Sequence, residues 1–143
     1  MATRSTIALE NSDGTVSQIY CHWDGYISHH GRILLEHYSD TRKLSNLMEL
    51  GGLSVLDVDI GVKHDFDNRI DGMCSVYKRD RDQDCPTMKY KSVKRYYKES
   101  QQEEFNYLYK KNDSGMYEWW VDVDGGMLLS EAIAKDAECI ENE

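Results

Sequence analysis

The stretch Thr6-Ile7-Ala8-Leu9-Glu10-Asn11-Ser12-Asp13-Gly14-Thr15-Val16-Ser17-Gln18-Ile19-Tyr20-Cys21-His22-Trp23 decides the fold class. Residues 6–10 and 16–23 are rich in β-formers, and Asn11-Ser12-Asp13-Gly14 between them carries the Asp-Gly pair that supplies positive φ in a tight hairpin. Alternation along the second strand sets Ile19, Cys21 and Trp23 on one face and Gln18, Tyr20 and His22 on the other. The chain therefore opens on an antiparallel hairpin.

Working outward, residues 105–110 and 116–123 repeat the pattern around Asn112-Asp113-Ser114-Gly115, with aromatic residues in both strands. Between the hairpins, Ser28 is placed to cap a helix over 29–38, in which Ile27, Leu34 and Tyr38 recur at helical spacing. Asp40 is placed to cap a second helix with a Leu44, Leu47, Met48 stripe, and Gly51 stands where a left-handed stop belongs. Residues 73–79 alternate as a strand. Residues 80–84 and the basic run after Pro86 read as an exposed excursion, and Ser130 opens a last helix with an Ile133, Ala137, Ile140 stripe. The expected architecture is α+β: an antiparallel sheet of about five strands with helices packed on one face. With no repeat and no Gly/Ser linker, residues 1–143 form one domain.

Composition bounds the function. Cys21, Cys74, Cys85 and Cys139 form no Cys-x-x-Cys pair, which suits a reducing cytoplasm, and no apolar run is long enough for a bilayer, so no membrane partner is expected. The net charge of −9 disfavours direct nucleic-acid binding by the chain as a whole. The charge is uneven: residues 112–143 carry nine acids against Lys135, whereas residues 89–98 carry Lys89, Lys91, Lys94, Arg95 and Lys98 with no acid. Tyr90, Tyr96 and Tyr97 interleave with that basic run, a composition that binds single strands where the acidic end folds away from it. The two segments could instead pair between copies, giving a homo-oligomer that salt dissociates.

Candidate chemistry centres on His22, Asp24, His29 and His30, which lie within nine residues and would be the ligands of any metal, with His64 and the neighbouring Asp57, Asp59, Asp65 and Asp67 as a second acidic cluster. The spacing matches no established zinc motif, and the acidic loop lacks calcium-hand positions. Cys21 and His22 point to opposite faces of a strand, which argues against a nucleophile–base pair. Gly51-Gly52 and Gly125-Gly126 lack the spacing of a phosphate loop, and no cofactor is expected. Trp119 and Trp120 must face opposite ways, one into the core.

The segments Thr3-Arg4-Ser5-Thr6-Ile7-Ala8, Tyr20-Cys21-His22-Trp23-Asp24-Gly25-Tyr26 and Gly31-Arg32-Ile33-Leu34-Leu35-Glu36-His37-Tyr38 resemble a set of small proteins of tailed phages and prophages. These share an opening Thr-Arg-Ser motif and a Cys-His-Trp-Asp-Gly-Tyr box. The resemblance covers roughly the first 55 residues and extends weakly to 67–72 and 77–81; Ile27 departs from it, standing where proline is expected. The set has no agreed activity, so no catalytic residue is transferred. The resemblance implies a phage origin, and with it an accessory protein in the cytoplasm of an infected bacterium that binds and inhibits or redirects a host protein, such as a nuclease or another nucleic-acid-handling defence protein. The expected contacts are Asp122, Asp124, Glu138 and Glu141 as an acidic surface, with Trp23 and Tyr26 as aromatic contacts. The alternative is a small metal-dependent hydrolase or nucleotide-binding protein built on His22 and Asp24.

Overall fold

The opening hairpin forms as expected: β1 (Ser5–Glu10) and β2 (Val16–Cys21) pair antiparallel with Ile7 opposite Ile19. The computed structural model describes residues 2–100 and 102–141, with the backbone alone for 138–141. After β2 a single π-helical turn, Ile27–Gly31, runs directly into α1 (Arg32–His37). Ser28 caps nothing; the turn starts from extended Tyr26, whose carbonyl accepts from the amides of both His29 and His30. In α2 (Thr41–Leu50), Asp40 accepts from the Arg42 amide and Gly51 ends the helix at φ 85°, as the sequence predicts. Beyond it come β3 (Leu53–Val55), β4 (Ser75–Val76), α3 (Tyr77–Arg81), β5 (Met88–Tyr90) and α4 (Val93–Glu99). The second hairpin is β6 (Phe105–Lys111) and β7 (Tyr117–Val121), followed by β8 (Met127–Leu128) and α5 (Leu129–Glu141).

The sheet departs from the expected one. It has eight strands and is mixed, in the order β4-β3-β2-β1-β6-β7-β8, with β5 also on β2. The pairs β1–β6 and β2–β3 are parallel, and the two hairpins lie side by side across the β1–β6 seam. Long-range pairing of this kind leaves no mark on local sequence pattern, which is why a purely antiparallel, five-stranded sheet was expected. The outer edge of β2 is divided: β5 takes residues 16–18 and β3 takes Cys21.

Helices also cover both faces rather than one. The main core holds Ile7, Leu9, Ile19, Leu34, Leu44 and Leu47 beneath α1, α2 and α5. On the other face Ala8, Val16 and Leu108 are covered by Tyr96 of α4. The basic run is therefore no excursion: it pairs with β2 through β5 and then closes the second face through α4. Residues 73–79 give only the two-residue β4 before α3 begins. Trp119 is buried on the main-core face, and Trp120 lies half-buried on the opposite one, as alternation requires.

Candidate functional site

The Cys-His-Trp-Asp-Gly-Tyr box starts where β2 leaves the sheet. Its first members extend the pairing, since the His22 and Trp23 amides donate to the Leu53 and Ser54 carbonyls. Gly25 is required by contact: a Cβ there would stand 2.6 Å from Ser5 Cβ and 2.9 Å from the Thr3 carbonyl oxygen. Its own carbonyl accepts from the buried Tyr107 hydroxyl at 2.6 Å. Much of the box is thus the joint between β1, β2 and β6.

Cys21 does meet a histidine, but it is His30 and not His22. The Cys21 Sγ lies 3.6 Å from His30 Nε2, and His30 Nδ1 lies 3.0 Å from Ser5 Oγ, with all three residues wholly buried. Burial pushes the Cys21 thiol far above its ordinary value, with Cys74 adding to the effect. Burial, and next the neighbouring His29, push the imidazole of His30 down to about 3. An uncharged thiol beside a neutral imidazole is a buried polar tie rather than an activated nucleophile.

The four residues expected to share a metal do not gather into one site, although the rings of His29 and His30 are neighbours, with centroids 5.3 Å apart. His22 Nδ1 is 2.7 Å from the Tyr20 hydroxyl and its ring meets Trp23 edge-on, Asp24 is exposed in the left-handed region at φ 59°, and His30 faces the core. Among the described residues, no three His, Cys, Asp or Glu side chains gather as a metal site. The second acidic cluster is spent on its own loop. Arg69 holds Asp57 at 3.0 Å, Asp65 accepts from the Asp67 amide and Asn68, and buried Asp80 accepts from the amides of His64 and Val76 and from Arg79.

Two of the expected acidic contacts, Asp122 and Asp124, lie on opposite sides of one turn. Between β7 and β8 the chain turns through Asp122, Val123, Asp124, Gly125 and Gly126, and this turn separates two depressions on opposite faces of the sheet. On the main-core side, a hollow of about 200 Å³ is floored by Ile27, Val123, Met127 and Ala132 and edged by Asp124, Lys135 and Asp136. Tyr26, 41% exposed, precedes Ile27 in the chain and meets the His29 ring, and Trp23, 43% exposed, comes three residues earlier; neither lines this hollow. Asp124 pairs with Lys135 at 2.8 Å across exposed surface. Asp122 belongs to the other side, where its carboxylate takes the Asn106 amide and side-chain NH₂ at 2.9 and 2.7 Å. The side chains of Glu138 and Glu141 lie outside the described residues.

On that other side a cleft of about 370 Å³ lies between α4 and the β6–β7 hairpin, lined by Tyr97, Asn106, Leu108, Lys110, Trp120 and Asp122 among others. The sequence reading noted Tyr97 and Asp122 but missed Lys110 and Asn106. Their signal was the polar phase of β6, in which Asn106, Leu108 and Lys110 alternate against Tyr107 and Tyr109. Comparison of the chain with protein-family models, curated proteins and solved structures finds no match.

Proposed function

We propose that this chain is a phage accessory protein that binds a host protein and inhibits or redirects it, using its surface rather than a catalytic centre. The observation that carries the reading is the hollow between Ile27 and α5: an apolar floor edged by Asp124, Asp136 and Lys135, next in the chain to the exposed Tyr26, supports a protein-contact site. The Asp124–Lys135 pair is an exposed ion pair of small worth, so a partner's cation can exchange for Lys135 at little cost. Nucleases and other nucleic-acid-handling defence proteins, which present cationic surfaces, are the first targets to test. Charge complementarity of this kind makes association fast and salt-sensitive.

The test is capture from a bacterial lysate with the wild-type chain and with a Tyr26→Ala, Asp124→Asn, Asp136→Asn variant. Asparagine tolerates the left-handed backbone of Asp124, so the turn is preserved. A stoichiometric partner held by the wild type, released by salt and lost with the variant supports the reading. Equal recovery by both proteins refutes it.

A further inference from the structure

The sheet separates the chain's charges. Glu131 and Asp136 of α5 lie on the main-core side, where the helix packs against the Ile27–Gly31 turn and β7. The cations of α4 lie on the opposite side, over the smaller cluster around Tyr96, whereas Lys89 of β5 shares the face of Ser17 and stands beside α2. Within the basic segment the one ion pair among the described residues is Arg95 to Glu99 at 2.6 Å. Thus α4 carries Lys94, Arg95 and Lys98 against Glu99, although the whole chain carries −9.

The cleft beside α4 adds aromatic faces to those cations. Lys110 Nζ stands 5.1 Å from the ring centroids of both Tyr97 and Trp120, and no carboxylate pairs with it among the described residues. Tyr97 is 57% exposed, and Lys94, one turn earlier on α4, lies on the same side of the helix. The floor is apolar, from Leu108. Asp122 is the lining's carboxylate among the described residues, and both its oxygens already accept from Asn106. The cleft's volume suits one planar group with its sugar.

From these we infer that the α4 face binds single-stranded nucleic acid. One base stacks against Tyr97 and Trp120, Lys110 meets the adjoining phosphate, and Lys94 and Lys98 carry the strand along the helix. Stacking on aromatic rings together with backbone contacts from lysines is the chemistry of sequence-tolerant single-strand binding. This inference does not rest on the acidic hollow, which lies across the sheet.

The test is fluorescence anisotropy with a dye-labelled mixed-sequence DNA 12-mer. Saturable binding is expected at low salt, weakening about twentyfold between about 50 and about 200 mM for three phosphate contacts. Tyr97→Ala and Lys110→Gln should each weaken it at least about fivefold, while Lys63→Gln, on the far loop, leaves it unchanged. Tyr97 is exposed enough for its variant to keep the fold, checked by circular dichroism. The inference fails if no anisotropy change occurs at about 50 mM salt, if Tyr97→Ala binds as the wild type does, if a duplex binds equally well, or if a free mononucleotide competes as strongly as the 12-mer, which would assign the cleft to a small nucleotide instead.

Discussion

His30 carries the clearest pH dependence in the chain. Its imidazole is buried against Cys21 and Ser5 and held neutral down to about 3, whereas in the unfolded chain it takes a proton near its ordinary value of 6.5. Between those values the unfolded state binds the extra proton, so this contribution is complete above pH 6.5 and is lost as pH falls. Urea unfolding should show about 2 kcal/mol lost between about pH 7 and about pH 5 on account of this residue, and the loss should shrink in His30→Gln. Asp80 works at a lower pH. Burial alone would raise its pKa, but hydrogen bonds from Arg79 and from the Val76 and His64 amides outweigh burial and lower it below 3.8. Its stabilisation is present above that value and disappears as pH drops through the folded one. Asp80→Asn should cost about 3 kcal/mol in urea unfolding at neutral pH, because it leaves Arg79 largely buried without a counter-charge. At this scale the sequence was half legible. Strand alternation correctly separated Cys21 from His22, but only the packing of the Ile27–Gly31 turn under the sheet could bring in His30.

Between residues and the whole, the two hairpins share one turn design. Asn11 and Asn112 each accept from the glycine three residues on, and each donates to the carbonyl four residues on. Gly14 and Gly115 sit at φ 88° and 81°, and a Cβ at either would meet nothing within 4 Å. Gly115→Ala therefore tests backbone strain without steric conflict and should lower stability by about 1 kcal/mol, read as a shifted urea midpoint with an unchanged slope. Elements whose signals are local were readable: both hairpins, and α2 between Asp40 and Gly51. Elements made by docking were not. β5 is three residues long and exists because the edge of β2 is open there, and α3 replaces the end of an expected strand where Asp80 turns back to bind the Val76 amide. The aromatic cleft was unreadable for the same reason, since Tyr97 comes from α4 and Trp120 from β7.

In the whole molecule, β1 is an interior strand with β2 on one side and β6 on the other. Residues 5–9 of β1 pair with residues 105–109, so neither half of the chain owns the centre of the sheet. Fragments 1–84 and 85–143 should each lack dispersed amide resonances alone and recover them on mixing; a first fragment that folds by itself would contradict this account. The seam also explains how opposite charges coexist in one small chain, because the layer that joins the hairpins also stands between α5 and α4. It has a further consequence during synthesis. A ribosome adds about 5–20 residues each second, so the nascent first hairpin waits on the order of five to twenty seconds for its neighbour β6. Throughout that interval Ile7 and Leu9 have no finished core to enter, and the growing chain depends on chaperones or on its own polar turns to stay unaggregated until the last third emerges.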